Sequence, residues 1–250
     1  MKRIALLSVL LLLVLMPATA MSTTNITMPI LIKDETGSAV AGAKVMVYDS
    51  TGAKVAEGTT NSTGYVVLSI PNETVTFWAE LASGKYLLNT TDMTTVNTTE
   101  VTYIPLDASA MYRASINANA TGITAKIRTN LNTKVEVQVD CNSTVYGKES
   151  LNITFPSSKV VMPFVELKLV EIKVDATSYT NKTSVTVDLS SANRVVTAGY
   201  TKYYTFTWTW ETYVIIAFIG LLFVMLLMAM VRGARAIGIR PRKYVSINSA

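Results

Sequence analysis

The chain has 250 residues, half of them apolar, with 22 Lys and Arg against 17 Asp and Glu, a single cysteine and no histidine. The missing histidine excludes Ser-His-Asp and Cys-His catalysis and His-based metal centres, and one cysteine excludes an intrachain disulfide. The net charge of +5 is not a nucleic-acid-binding face: two of the positive charges sit in the first three residues and five in the last nineteen, which leaves fifteen against seventeen acids between them.

The chain opens with Met1-Lys2-Arg3, an apolar run from Ile4 to Met16 and the small-residue stop Pro17-Ala18-Thr19-Ala20. A positive start, a short apolar stretch and an A-x-A end predict a secretory signal over residues 1–20, cut after Ala20. Thirteen residues are short for a membrane span, and no cysteine near the cut offers a lipid attachment point.

Residues 21–105 alternate apolar and polar with the period of half-buried strands. Val66, Leu68 and Ile70 share one face of a strand, and Val75, Phe77, Ala79 and Leu81 one face of the next, with Thr76, Trp78 and Glu80 opposite. Turn clusters separate the strands: Asp34-Glu35-Thr36-Gly37, Asp49-Ser50-Thr51-Gly52, Asn61-Ser62-Thr63-Gly64 and Pro71-Asn72-Glu73-Thr74. Their glycines supply the positive φ of tight turns. Short strands at this spacing with no amphipathic helix predict a β-sandwich.

The stretch I-L-I-K-D-E-T-G-S-A-V-A-G-A-K-V-M-V-Y-D-S-T-G, followed by G-T-T-N-S-T-G-Y-V-V-L-S-I-P, resembles the carboxypeptidase regulatory-like family and the related CnaB-type surface modules. The points of match are Asp34, Gly37, Gly42-Ala43, Val45, Asp49, Gly52, Thr60 and Gly64, and the resemblance covers about residues 28–105. It implies a seven-stranded, transthyretin-like sandwich without catalytic activity, of a kind used as spacer, adhesive unit or accessory domain. Some CnaB-type modules carry a Lys–Asn/Asp isopeptide bond promoted by a buried Glu. Lys33, Glu80 and Asn97 stand near the positions that would form it here, but alternation turns Lys33 and Glu80 outward, so a solvated pair is expected.

From residue 106 the Asp-x-x-Gly signature stops while alternation continues. Tyr112/Ala114/Ile116, Ile123/Ala125/Ile127, Val135/Val137/Val139 and Val185/Val187/Leu189 each give one apolar face. These predict a second, Ig-like sandwich over residues 106–212, with a phase shift inside Val165–Asp175 that marks a bulge or bend. Its end, Tyr204-Thr205-Phe206-Thr207-Trp208-Thr209-Trp210, alternates aromatic and Thr, as a strand running straight into the headgroups would. Cys141 reads as a small buried residue at a strand end, with a link to a partner as the alternative.

The run Tyr213–Val231 holds nineteen residues without a charge, an amide or a proline. At a rise of about 1.5 Å per residue it spans the roughly 30 Å hydrocarbon core of a bilayer. Arg232, Arg235, Arg240, Arg242 and Lys243 follow it in the tail, residues 232–250, and mark the cytoplasmic side. Trp208, Trp210 and Tyr213 are the expected outer interfacial residues, Arg232 and Arg235 the inner ones. Sequons begin at Asn25, Asn61, Asn72, Asn89, Asn97, Asn119, Asn142, Asn152 and Asn181, all ahead of the span. N-glycosylation on the outer side is therefore expected. Dense acceptors without disulfides point to an archaeal cell surface.

The expected protein is thus an all-β ectodomain of two tandem β-sandwiches plus one C-terminal transmembrane α-helix, in the plasma membrane with its N-terminus outside. It is read as a non-enzymatic cell-surface glycoprotein of structural or adhesive role, without catalytic, cofactor or metal residues. Its partners are the lipid bilayer and a protein or glycan at the outer surface, and not nucleic acid; a homo-oligomer or a membrane complex is compatible with the sequence. The alternative is an accessory subunit of a larger complex, its ectodomain and span docked on multi-span partners.

Overall fold

The computed structural model describes residues 24–82, 84–162, 165–204 and 210–236. The signal run, the tail beyond 236 and the aromatic stretch 205–209, with Phe206 and Trp208, lie outside the described residues. Those described fall into two compact units: one runs up to Pro156 and adds Leu169–Tyr200, the other holds Ser157–Lys168 and the residues from Thr201 on.

The first unit is built from three β layers. A three-stranded sheet has the order β4 (Tyr65–Pro71), β1 (Asn25–Lys33), β7 (Ile104–Asp107), with β1 antiparallel to β4 and parallel to β7. One face packs on a central sheet through a core that includes Ile30, Ile32, Leu68 and Ile70 from the first sheet and Val45, Val47, Phe77, Ala79 and Leu87 from the second. Each large apolar side chain buried here contributes about 1.5–3 kcal/mol. The inward residues are those the alternation marks: Val66, Leu68, Ile70, Val75, Phe77, Ala79 and Leu81 are all buried.

The central sheet starts from the hairpin pair β2 (Lys44–Tyr48) and β3 (Lys54–Thr59) and continues through β5 (Thr74–Ala82) and β6 (Lys85–Asp92). It does not stop at residue 105. β6 pairs in parallel with β11 (Ser143–Gly147), which pairs with β8 (Tyr112–Ala118), then β17 (Arg194–Tyr204) and β14 (Val165–Val174), with β15 (Thr177–Thr180) on β14. The sequence predicts two sandwiches in tandem; hydrogen bonding joins the two halves through one sheet.

A third sheet, β10 (Glu136–Asp140), β9 (Thr124–Thr129), β12 (Ser150–Thr154), β16 (Ser184–Asp188), supplies Ala125, Ile127, Leu151, Ile153, Val185 and Val187 to a second core. It meets the far face of the central sheet. Glu149, just before β12, accepts from the Thr90 N–H of β6 at 3.0 Å and from the Thr129 hydroxyl of β9. The Asn132 amide donates to the Asp49 carbonyl at 2.8 Å.

The third layer corrects one expectation. Thr76 and Trp78 were expected on a face opposite the core, yet both are buried, and Trp78 stacks on Tyr86 with centroids 5.0 Å apart. A central strand covered on both sides buries its "polar" face too. Tyr112 is corrected in the other direction: it shares an alternation with Ala114 and Ile116 but is exposed at the strand's start. In β14 the buried residues are Leu167 and Ile172, an odd and an even position, so the predicted phase shift is present; the pairing irregularity itself lies in β13 (Ser158–Met162), between Val160 and Met162.

The second unit contains the β13–β14 hairpin up to Lys168, the end of β17 and a 27-residue helix, α1 (Trp210–Ala236). The span predicted over 213–231 lies inside this helix. At about 40 Å the helix is longer than the roughly 30 Å hydrocarbon core of a bilayer.

Candidate functional site

Three groups of residues were singled out by sequence: the glycan acceptors, the membrane-interface residues and the Lys33, Glu80, Asn97 set. The acceptors fall on the first unit, where the local fold divides them. Asn25, Asn61, Asn72, Asn97, Asn142 and Asn181 are exposed, while Asn89 and Asn152 are half-buried within strands β6 and β12. Asn142 and Asn181 hold positive φ of 74° and 59°, which asparagine tolerates better than most residues.

Asn119 is exposed as a residue, but both ends of its amide are in use. Its Nδ2 donates to the Tyr200 carbonyl at 3.0 Å, and its Oδ1 accepts from the Tyr200 N–H at 2.7 Å. β8 and β17 pair in parallel up to Ala118 and Ala198, so the Asn119 side chain extends that ladder like one more peptide group. The Tyr200 hydroxyl donates to the Pro156 carbonyl at 2.8 Å, and burial raises its pKa.

The turns show why the sequence folds locally as it does. Asp34 Oδ1 accepts from the Thr36 N–H, the Thr36 hydroxyl and the Ser38 N–H at 2.8, 2.7 and 3.0 Å. Asp49 does the same with Thr51 and Ala53, and Asn61 with Thr63 and Tyr65. Each turn closes on a glycine at positive φ: Gly37 at 81°, Gly52 at 86° and Gly64 at 79°. The Thr36 hydroxyl, with the Thr36 N–H behind it, holds the Asp34 carboxyl below the usual carboxylate range.

Lys33 forms an ion pair with Asp107, its register partner on β7, at 3.8 Å. Glu80 is on a different sheet, opposite Lys44 and Tyr86, and is half-buried. Asn97 is exposed and its Oδ1 accepts from the Thr99 N–H at 3.2 Å and from the Thr99 hydroxyl at 2.5 Å. Cys141 follows β10, free and half-buried; burial, aided by Asp140, pushes its thiol up to about 11. Among the described residues no group of three or more His, Cys, Asp or Glu could hold a metal ion. A polar cleft of about 250 Å³ beside Asp49 and Glu73 has its carboxylates engaged, Asp49 by its own turn and Glu73 by the Ser50 hydroxyl at 3.0 Å.

In the second unit, every described side chain of α1 from Tyr213 to Arg232 is exposed, and Arg232 is the first Lys, Arg, Asp or Glu after Glu211. Trp210 and Tyr213 are exposed at the helix's first turn and Arg232 near its other end; Arg235 lies within the helix and Trp208 outside the described residues. Among the described residues the apolar side chains from Val214 to Val231 are left exposed. α1 is long and apolar enough to cross a membrane.

No family model matches the chain, and no curated protein does. Among solved structures it is similar to the TIE protein of Bacillus anthracis (TM-score 0.26, 11% identity, 70% of this chain and 33% of that one). It is also similar to a mutant of the shaft pilin spaA of Lactobacillus rhamnosus GG (0.26, 8%, 71% and 99%). A third is fervidolysin of Fervidobacterium pennivorans, a keratinolytic enzyme related to subtilisin (0.26, 9%, 74% and 34%). The chain spans about a third of the first and the last of these. Likenesses at this level fix no family, and function is argued from the chain's own residues.

Proposed function

We propose that this is a single-pass cell-surface glycoprotein with a structural or adhesive, non-enzymatic role, held in the membrane by α1. One observation carries the reading: an apolar helix whose described side chains from Val214 to Val231 are all exposed, five residues after the end of β17. The Arg and Lys residues behind the helix orient it with the β unit outside. The exposed acceptors lie on that same side, and their density without disulfides favours an archaeal surface. A non-enzymatic role is supported by the missing histidine, by a thiol with a pKa of about 11, and by carboxylates committed to turns and ion pairs. Specific binding then belongs to the sheet faces and loops of the first unit.

The test is purification of the full chain in mild detergent, with mass spectrometry of the intact complex and of its glycopeptides. A monomer or homo-oligomer with glycan on the exposed acceptors is expected. A stoichiometric multi-span partner would replace this reading with that of an accessory subunit, and unmodified acceptors would remove the glycoprotein assignment.

A further inference from the structure

The central sheet has two edge strands of opposite chemistry. β3 at one edge is protected in the usual way, by charge: Lys54 and Lys44 both pair with Glu57. β13, which pairs only with β14 among the described residues, carries Val160, Val161 and Met162 in succession, exposed by 54%, 40% and 59%. Across the irregularity Val160 pairs with Glu166 and Met162 with Val165, neighbours that face opposite sides of β14, so β13 is apolar and exposed on both faces. A solvated edge strand has no reason to be so.

The register says where this hairpin points. Along β14 and β17 the neighbours run antiparallel: the Asp175 N–H donates to the Val195 carbonyl, a Cβ on Gly199 would meet Glu171, and Lys168 Nζ sits over the Tyr203 ring at 5.0 Å. Continued, that register sets Glu166 beside Tyr204, so Val165, and Met162 paired with it, lie at the end of the hairpin nearest the last described residue of β17, the strand that precedes α1 in sequence. Tyr204 is 81% exposed and six residues from Trp210, a reach of at most about 21 Å. Lys168, the register partner of Ser158 at the start of β13, and Lys202 carry ammonium groups of a kind suited to lipid phosphates.

We propose that the end of the β13–β14 hairpin, Val160 to Met162, inserts into the outer headgroup layer of the same bilayer that α1 crosses. It gives the ectodomain a second membrane contact beside the helix. The proposal rests on α1 being a span. Lipid, and not a partner's strand, is the occupant because both faces of β13 are apolar, where strand addition would need only its edge, and because this end of the unit is the one that leads to the helix.

The test uses the full chain in phosphatidylcholine vesicles containing nitroxide-labelled lipid. Single cysteines replace Val161 or Met162 in a Cys141→Ser background and carry a fluorophore; Leu222→Cys and Thr51→Cys serve as references. The labels at 161 and 162 are expected to be quenched several-fold more by nitroxide near the headgroup than the label at 51, and to be shielded from aqueous iodide. The label at 222 is expected to be quenched by nitroxide deep in the acyl chains. Iodide quenching at 161 and 162 without lipid quenching, with 222 still quenched, overturns the insertion and leaves the span. Shielding from both quenchers means a protein covers the hairpin and overturns it equally, whereas an unquenched 222 removes the span and the hairpin contact together. Should a label disturb folding, the unsubstituted chain is read with a diazirine-bearing lipid and peptide mapping: adducts on Val160–Met162 are expected, and their absence overturns the proposal.

Discussion

Asn119 separates a structural asparagine from a glycan acceptor, and two substitutions test which it is. Asn119→Ala removes both hydrogen bonds to the Tyr200 main chain, at 3.0 and 2.7 Å. Each is worth about 1 kcal/mol net, and a buried peptide group left without a partner costs about 1–3 kcal/mol. Tyr200 is only 6% exposed, so water does not readily replace the lost amide. The expected loss is therefore about 2–4 kcal/mol. Thr121→Ala destroys the same sequon but touches an exposed side chain, and is expected to change stability by no more than about 0.5 kcal/mol. Asn119→Asp keeps the acceptor and loses the donor, and should fall between them. The assay is urea unfolding of the full chain in detergent, made in a host without N-glycosylation and followed by circular dichroism. If Asn119→Ala and Thr121→Ala unfold at the same urea concentration, the ladder-extending role is wrong.

Two glycine turns give a second test. A Cβ on Gly52, at φ 86°, would lie 2.8 Å from the Lys134 carbonyl oxygen, whereas one on Gly42, at φ 75°, meets nothing within 4 Å. In the same unfolding assay Gly42→Ala should cost about 1 kcal/mol and Gly52→Ala about 2 kcal/mol or more. The carboxyls of Asp34 and Asp175 sit below their unfolded values, the first held chiefly by the Thr36 hydroxyl and the second by the Val195 N–H. A depressed carboxylate contributes stability above its unfolded pKa and loses it as pH falls through the folded one, so the urea midpoint should drop below about pH 4. Asp34→Asn should leave the turn formed at neutral pH, as Asn61 does in its own, and should flatten part of that drop. At pH 8 native Cys141, with its pKa of about 11, should react with iodoacetamide roughly two orders of magnitude slower than in denaturant.

The local features were legible because their causes are local. An Asp or Asn, a Thr two residues on and a Gly one beyond specify the same turn three times, and alternation names the residues of the first core. The third layer left no such mark. Trp78 and Thr76 lie on a face that period-two reasoning assigns to water, and only a sheet formed some fifty residues later covers it. Glu149, which ties that sheet to β6, reads in sequence as one acid among seventeen. Asn119 was legible only as a sequon, because the partner that occupies its amide is Tyr200 on the last strand. The exposed apolar edge at β13 was missed for a related reason: Val-Val-Met looks like any buried strand until its neighbours are known.

The parallel pairing of β17 with β8 bears on how force enters this molecule. β17 precedes α1, so on the proposed anchoring by that helix a pull on the β strands would be delivered along β17. To yield, β17 must slide lengthwise past β8, with Arg194 to Ala198 leaving their partners Ala114 to Ala118 together and not one after another. The Asn119 amide clamps Tyr200 just beyond the last of them, on the side from which the load arrives. On its β8 edge β17 thus resists through five peptide pairs and one side chain acting in shear, while its other edge is held by β14.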